Sequence, residues 1–243
     1  YGNITVAPPD GKAIQVRSGA DAASSMEVIG SPFNSECTFK NKDEYFYSQV
    51  VDPAGDAANL YIGGVGLYGD KTSLTMAYAK TDENGQVTTQ NASESDYNIK
   101  WDGETLTLNK ANILTLNRPT AEGEYTAIYC EESFDIDLID TNIIAVTGAK
   151  DNDITGILAE KDMSISGDGR LKVTASRGIN VFGNVTISGG TVTAMCDSDK
   201  TGICALGDII ITGGTVTATG GKGGIQGLGN VTISGGTVTA MDG

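Results

Sequence analysis

The chain has 243 residues, 31 acidic against 16 basic side chains, no histidine, 33 glycines and only five Phe and one Trp. A net charge of −15 argues against nucleic acid and anionic membrane surfaces, which need Lys and Arg to displace counterions. The absence of histidine excludes every His-based triad and His-ligated metal, and no apolar run approaches the roughly 20 residues that span a bilayer.

Residues 1–56 read as the terminal coil and cap of a preceding solenoid, closed by the linker DPAGD at 52–56. GNITV near the start resembles the opening of the later repeats, and EYFYSQVV at 44–51 predicts an aromatic strand. Residues 57–100 predict an N-terminal cap for a second solenoid. LYIGGV at 60–65 and residues 74–78 read as strands, and the Asn84-Gly85 pair suits a type I′ hairpin turn.

From Trp101 a repeat sets in. GETLTLNKANILTL alternates Leu106 and Leu108 with Thr105 and Thr107, and FDIDLIDTNIIAVTG follows. Units opening at Gly183, Gly207 and Gly229 start 24 and 22 residues apart. Each carries two β-branched runs around a Gly-Gly bend, and the first two continue into a third run led by Gly-Ile. The third-run isoleucines 128, 157, 179, 203 and 225 are separated by 29, 22, 24 and 22 residues, so the first coil holds an insertion, a projecting loop at 117–125. Three short strands per 22 to 24 residues predict an all-β, right-handed parallel β-helix over 101–243, with the β-rich cap before it. The last unit stops after two strands, which predicts an open edge at 231–240 that pairs with another chain.

Columns follow from stacking at about 4.8 Å per coil. Asp162, Asn184, Asp208 and Asn230 align at the start of the first run, where short polar side chains bond turn backbone. Thr191, Thr215 and Thr237 form an outward hydroxyl ladder, as do Thr193, Thr217 and Thr239. Cys130 points inward and Cys204 outward. No CxxC pair marks a zinc site, and the cysteines read as free thiols, with a Cys196–Cys204 disulfide as the alternative.

Residues 161–243 hold six acids and six bases, so the whole charge excess lies in residues 1–160. Chemistry is therefore expected on the early coils. Asp135 and Asp137 share a strand face about 6.8 Å apart and are candidate calcium ligands; with Glu131 they are also candidate glycan contacts, against the reading of all three as solvated strand-edge acids. Trp101 and Tyr125 are candidate sugar-stacking rings, with the capping of the coil interior as the other reading of Trp101. Arg170, Arg177, Asp197 and Asp199 form a second charged set, either a surface ion-pair group or a lyase-like arginine site.

The sequences NLYIGGVGL, WDGETLTLNKANI and the repeated ISGGTVTA resemble a family of secreted or surface-attached right-handed β-helix proteins of Gram-positive, often gut-dwelling bacteria. The resemblance covers about residues 57–243. It implies an extracellular or cell-surface module that binds carbohydrate, in some relatives acidic plant polysaccharide with calcium. Those relatives carry an acidic pair before the third-strand Ile, where this chain reads SRGI, KTGI and KGGI. Three functions follow: a non-catalytic glycan-binding or adhesion module, a pectin-degrading type of lyase or hydrolase, and a structural spacer.

Overall fold

The computed structural model describes residues 58–117, 125–146, 154–196 and 199–243, together with four short strands before them. The chain divides into two compact units, residues 1–36 and 37–243. In the first, Gln15–Arg17 pairs antiparallel with Glu27–Ile29; early in the second, Phe39–Asn41 pairs antiparallel with Glu44–Phe46. The rest of the reading of residues 1–56, the loop at 118–124 and Asp197 lie outside the described residues.

Every element described is a strand. Beyond residue 100 they form three sheets in which each strand pairs in parallel with the strand three places on in the chain, a β-helix-like stack. The first sheet runs Thr105–Asn109, Phe134–Ile139, Met163–Gly167, Val185–Ile187, Ile209–Ile211 and Val231–Ile233. The second runs Asn112–Ile113, Thr141–Ala145, Arg170–Thr174, Thr191–Met195, Thr215–Thr219 and Thr237–Met241. The third runs Tyr125–Cys130, Ile154–Ala159, Arg177–Val181, Ile203–Ala205 and Ile225–Gly227.

Strict alternation sends every second side chain inward, and parallel register piles like on like. Leu106, Ile136, Ile165, Ile187 and Ile211 make one column, and Ile128, Ile157, Ile179 and Ile203 another, all fully buried. Each such side chain stabilises the stack by about 1.5–3 kcal/mol. Cys130 is buried as its place two beyond Ile128 requires, and burial pushes its thiol up to about 11. Cys130, Cys196 and Cys204 are not in disulfides, so the Cys196–Cys204 alternative is not formed.

The first coil is sealed by antiparallel strands. Ile99–Trp101 and Ala77–Thr81 extend the first sheet, while Leu60–Ile62 and Val65–Leu67 extend the third. Two details differ from the sequence reading. The strand expected at 74–78 forms three residues later, because Leu74 takes a left-handed backbone (φ +57°) in the turn between Asp70 and Thr75. The hairpin at 82–85 is not type I′: only Gly85 has positive φ, while Asp82 Oδ1 accepts from the backbone N of Asn84 and Gln86 and so favours an ordinary turn followed by glycine.

Trp101 lies in this seal, 1% exposed, donating from Nε1 to Asn59 Oδ1 at 2.6 Å and meeting Phe134 edge-on. Its ring is thus enclosed in the cap, as the second of the two sequence readings has it, and offers no open face for stacking on a sugar. An indole this large fills the interior better than any other side chain in the chain, and its one polar group is satisfied within the cap.

Candidate functional site

The corner between the first and second sheets is turned in every coil by one residue of positive φ: Lys110, Asp140, Gly167, Gly190, Gly214 and Gly236. Later coils use glycine at this position throughout. The second coil instead places Asp140 there at φ +52°, a conformation that Asp tolerates better than most residues. Below it, Asn142 is buried and ties three coils together. Its Oδ1 accepts from Ala111 N at 2.9 Å, while its Nδ2 donates to Ile139 O at 2.9 Å and Arg170 O at 3.2 Å.

Outside this anchored corner lies an open cleft of about 540 Å³, lined by residues 137–141 and 167–170. Its charged groups are Asp137, Asp140, Asp168 and Arg170. Alternation in Phe134–Ile139 buries Phe134, Ile136 and Leu138 and turns Asp137 outward. Gly167 (φ +94°) lets the third coil close against the second, since a Cβ there would sit 2.7 Å from Asp137 Oδ1 and closer still to Leu138 O. The Arg170 backbone N donates to Asp140 O at 2.6 Å, fixing the arginine at the rim.

Lys110 Nζ lies 3.5 Å from Asp140 Oδ2. Among the described residues, Asp137, Asp168 and Arg170 have no ion-pair partner, so two carboxylates and a guanidinium face the cleft free. A wider acidic field surrounds them on the first two coils. Glu104, at 2.5 Å, raises the Lys71 amine above its usual range, with Asp102 and Asp135 adding to the effect.

Of the residues singled out in the sequence, Asp135 and Asp137 do share the outer face of one strand, in register with Thr105 and Thr107 before them and Ser164 and Ser166 after. Asp135 accepts a hydrogen bond from Ser164 Oγ, leaving Asp137 as the member that lines the cleft. Tyr125 begins a strand of the third sheet and is partly buried against the core. Glu131 follows the end of that strand, where it accepts from Tyr129 Oη at 3.4 Å. The structure thus places Tyr125 and Glu131 on the third sheet, apart from the cleft. Arg170 and Arg177 head strands of different sheets, and Asp199 pairs with Lys200 at 3.7 Å, while Asp197, the remaining member of the second charged set, lies outside the described residues. Among the described residues no three carboxylates, thiols or imidazoles group as metal ligands.

Other outer surfaces are less suited to a ligand. Leu158 and Asn180, on the outward column of the third sheet, are 1% and 4% exposed, so that face is closed there. The second sheet carries the Thr columns in register. The cleft is a concave, charged place on the early coils.

A family model described as carbohydrate-binding domain-containing protein matches residues 78–243, more than half of the chain. The chain belongs to this carbohydrate-binding domain family. No curated protein and no solved structure matches. The family span takes in all three parallel stacks and the whole cleft. Carboxylates and guanidinium groups are planar and hydrogen-bond in pairs, a geometry that suits vicinal sugar hydroxyls.

Proposed function

We propose that the chain is a non-catalytic, extracellular glycan-binding module at a cell surface, whose coils wind as a right-handed parallel β-helix and whose glycan sits in the cleft between Asp137 and Arg170. The family match over residues 78–243 carries the reading. The cleft supports it by lying within that span with two carboxylates and one guanidinium unpaired among the described residues. The strong preference of parallel crossovers for the right hand supports the winding.

Asp135 and Asp137 remain the proposed calcium contacts of this module, and Tyr125 and Glu131 its outlying glycan contacts. Adhesion is the proposed use, with the stacked coils as the stalk. A glycan array probed with the full chain, with calcium and again with a chelator, tests the reading. Binding without release of product supports it. Product release would favour the lyase or hydrolase reading, and silence on every glycan the spacer.

A further inference from the structure

We infer that a second sugar subsite lies on the cap, at Tyr78 and Tyr97, and that the glycan is a single extended chain of neutral, all-equatorial pyranoses reaching from there to Asp137. This rests on the glycan-binding reading of the cleft. Register is the first argument. Ala77–Thr81 and Ile99–Trp101 carry the first sheet beyond the coils, and the pairing sets Tyr78 beside Lys100, Lys100 beside Thr107, and Thr107 beside Asp137. Ile99 and Trp101 on either side of Lys100 are buried, as are Leu106 and Leu108 on either side of Thr107, so this column is the outward one. It dips at Thr107, 4% exposed, between the longer Lys100 and Asp137. At about 4.8 Å per strand, Tyr78 and Asp137 stand about 14 Å apart on one face.

The second argument is the patch at the far end of the column. The rings of Tyr78 and Tyr97 lie 5.6 Å apart, tilted by 51°, and the Tyr78 hydroxyl donates to Met76 Sδ at 3.5 Å. Both tyrosines are half-buried, Met76 is 43% exposed, and an ion pair of Lys80 with Asp96 joins the same two segments. An apolar patch rimmed by polar groups is the kind of surface a ligand covers, and aromatic faces suit the C–H face of a pyranose. Rings tilted this far cannot both lie flat under a crystalline sugar sheet; they take a single chain whose successive sugars turn. Equatorial hydroxyls leave C–H groups on both faces to stack and point sideways, toward Lys100 and Asp137. A straight column fits an extended chain and not a coiled one. A uronate would bring its carboxylate beside Asp135 and Asp137, where Lys100 is the only cation of the column.

Calorimetric titration of the full chain with cellohexaose, xylohexaose, maltohexaose and hexagalacturonate tests this, with circular dichroism to confirm that each variant is folded. Cellohexaose or xylohexaose, extended and all-equatorial, is expected to bind at least about tenfold more tightly than the coiled or the acidic oligomer. That affinity should hold in 1 M salt, because the ligand has no charge to screen. Tyr78→Ala and Tyr97→Ala should each weaken it about tenfold, the worth of an aromatic contact. Tyr78→Phe keeps the ring and should keep the affinity. Phe182→Ala, which removes an exposed ring on a later coil, should leave it unchanged. Should Tyr78→Ala fail to fold, Tyr97→Ala, in the turn before Ile99–Trp101, decides alone. Unchanged affinity in Tyr97→Ala, or an equal loss in Phe182→Ala, would overturn the subsite while leaving glycan binding by the cleft intact. Tighter binding of maltohexaose or hexagalacturonate would overturn the ligand class. No binding to any of the four would overturn the inference as a whole, and the module reading would then rest on the glycan array.

Discussion

The backbone N of Asn184 donates to Asp162 Oδ1 at 2.7 Å, one coil below it, and the Asn184 side chain passes the same bond on. Asn184 Oδ1 accepts from Asp208 N at 2.7 Å, and Asp208 Oδ1 from Asn230 N at 2.6 Å. This ladder satisfies the corner between the third and first sheets, and its alternation of Asp with Asn avoids stacking carboxylates at coil spacing. Asn184→Ala should cost about 1 kcal/mol in urea denaturation, the worth of one hydrogen bond. Asn184→Asp keeps the acceptor but files three carboxylates in a row, so its loss should shrink in 1 M salt.

At the opposite corner, Gly214 holds φ +76°, and a Cβ there would lie 2.6 Å from Gly190 O. Backbone strain and contact with a coil that cannot move act together. Gly214→Ala is expected to destabilise by about 1–3 kcal/mol, read as a lower denaturation midpoint. A midpoint equal to wild type would show that the corner relaxes.

Trp101 separates cap from ligand contact. Trp101→Ala should cost about 3–5 kcal/mol through the cavity left in the seal, while the folded fraction retains its glycan affinity. Loss of affinity at unchanged stability would instead make the ring a binding platform.

Cys130 gives a pH dependence of definite sign. Burial raises its pKa from 9.0 to about 11 in the folded chain, so the folded state holds the proton more tightly than the unfolded one. That contribution to stability is fully present below pH 9.0 and is lost as pH climbs to about 11. Cys130→Ser should lack this alkaline decline. An identical decline in both proteins would assign it to other groups.

Much of this fold is legible in residue spacing. The isoleucines 128, 157, 179, 203 and 225 fall in one register because a coil has nearly constant length, and the Asp162–Asn230 column follows from the same count. The cap is less legible, since its antiparallel strands are fixed by isolated side chains. Asn59 binds the Trp101 indole, and Asn117 Oδ1 accepts from Gly64 N at 2.8 Å across 53 residues. The cleft was half legible. Alternation marks Asp137 as outward, but Asp140 and Asp168 reach it from the corners of two successive coils, where strand alternation stops and gives no direction. Aligning Asp140 with the bend glycines was the available signal, because an acid in place of glycine at a turn changes what the surface presents.

The most direct measurement is a glycan array run in parallel on wild type and on the Asp137→Asn, Asp168→Asn double variant, with circular dichroism to confirm that both are folded. The glycans bound by wild type should be lost, or weakened by at least about tenfold, in the double variant. Retention of the same glycans at the same strength would place the binding surface elsewhere on the coils.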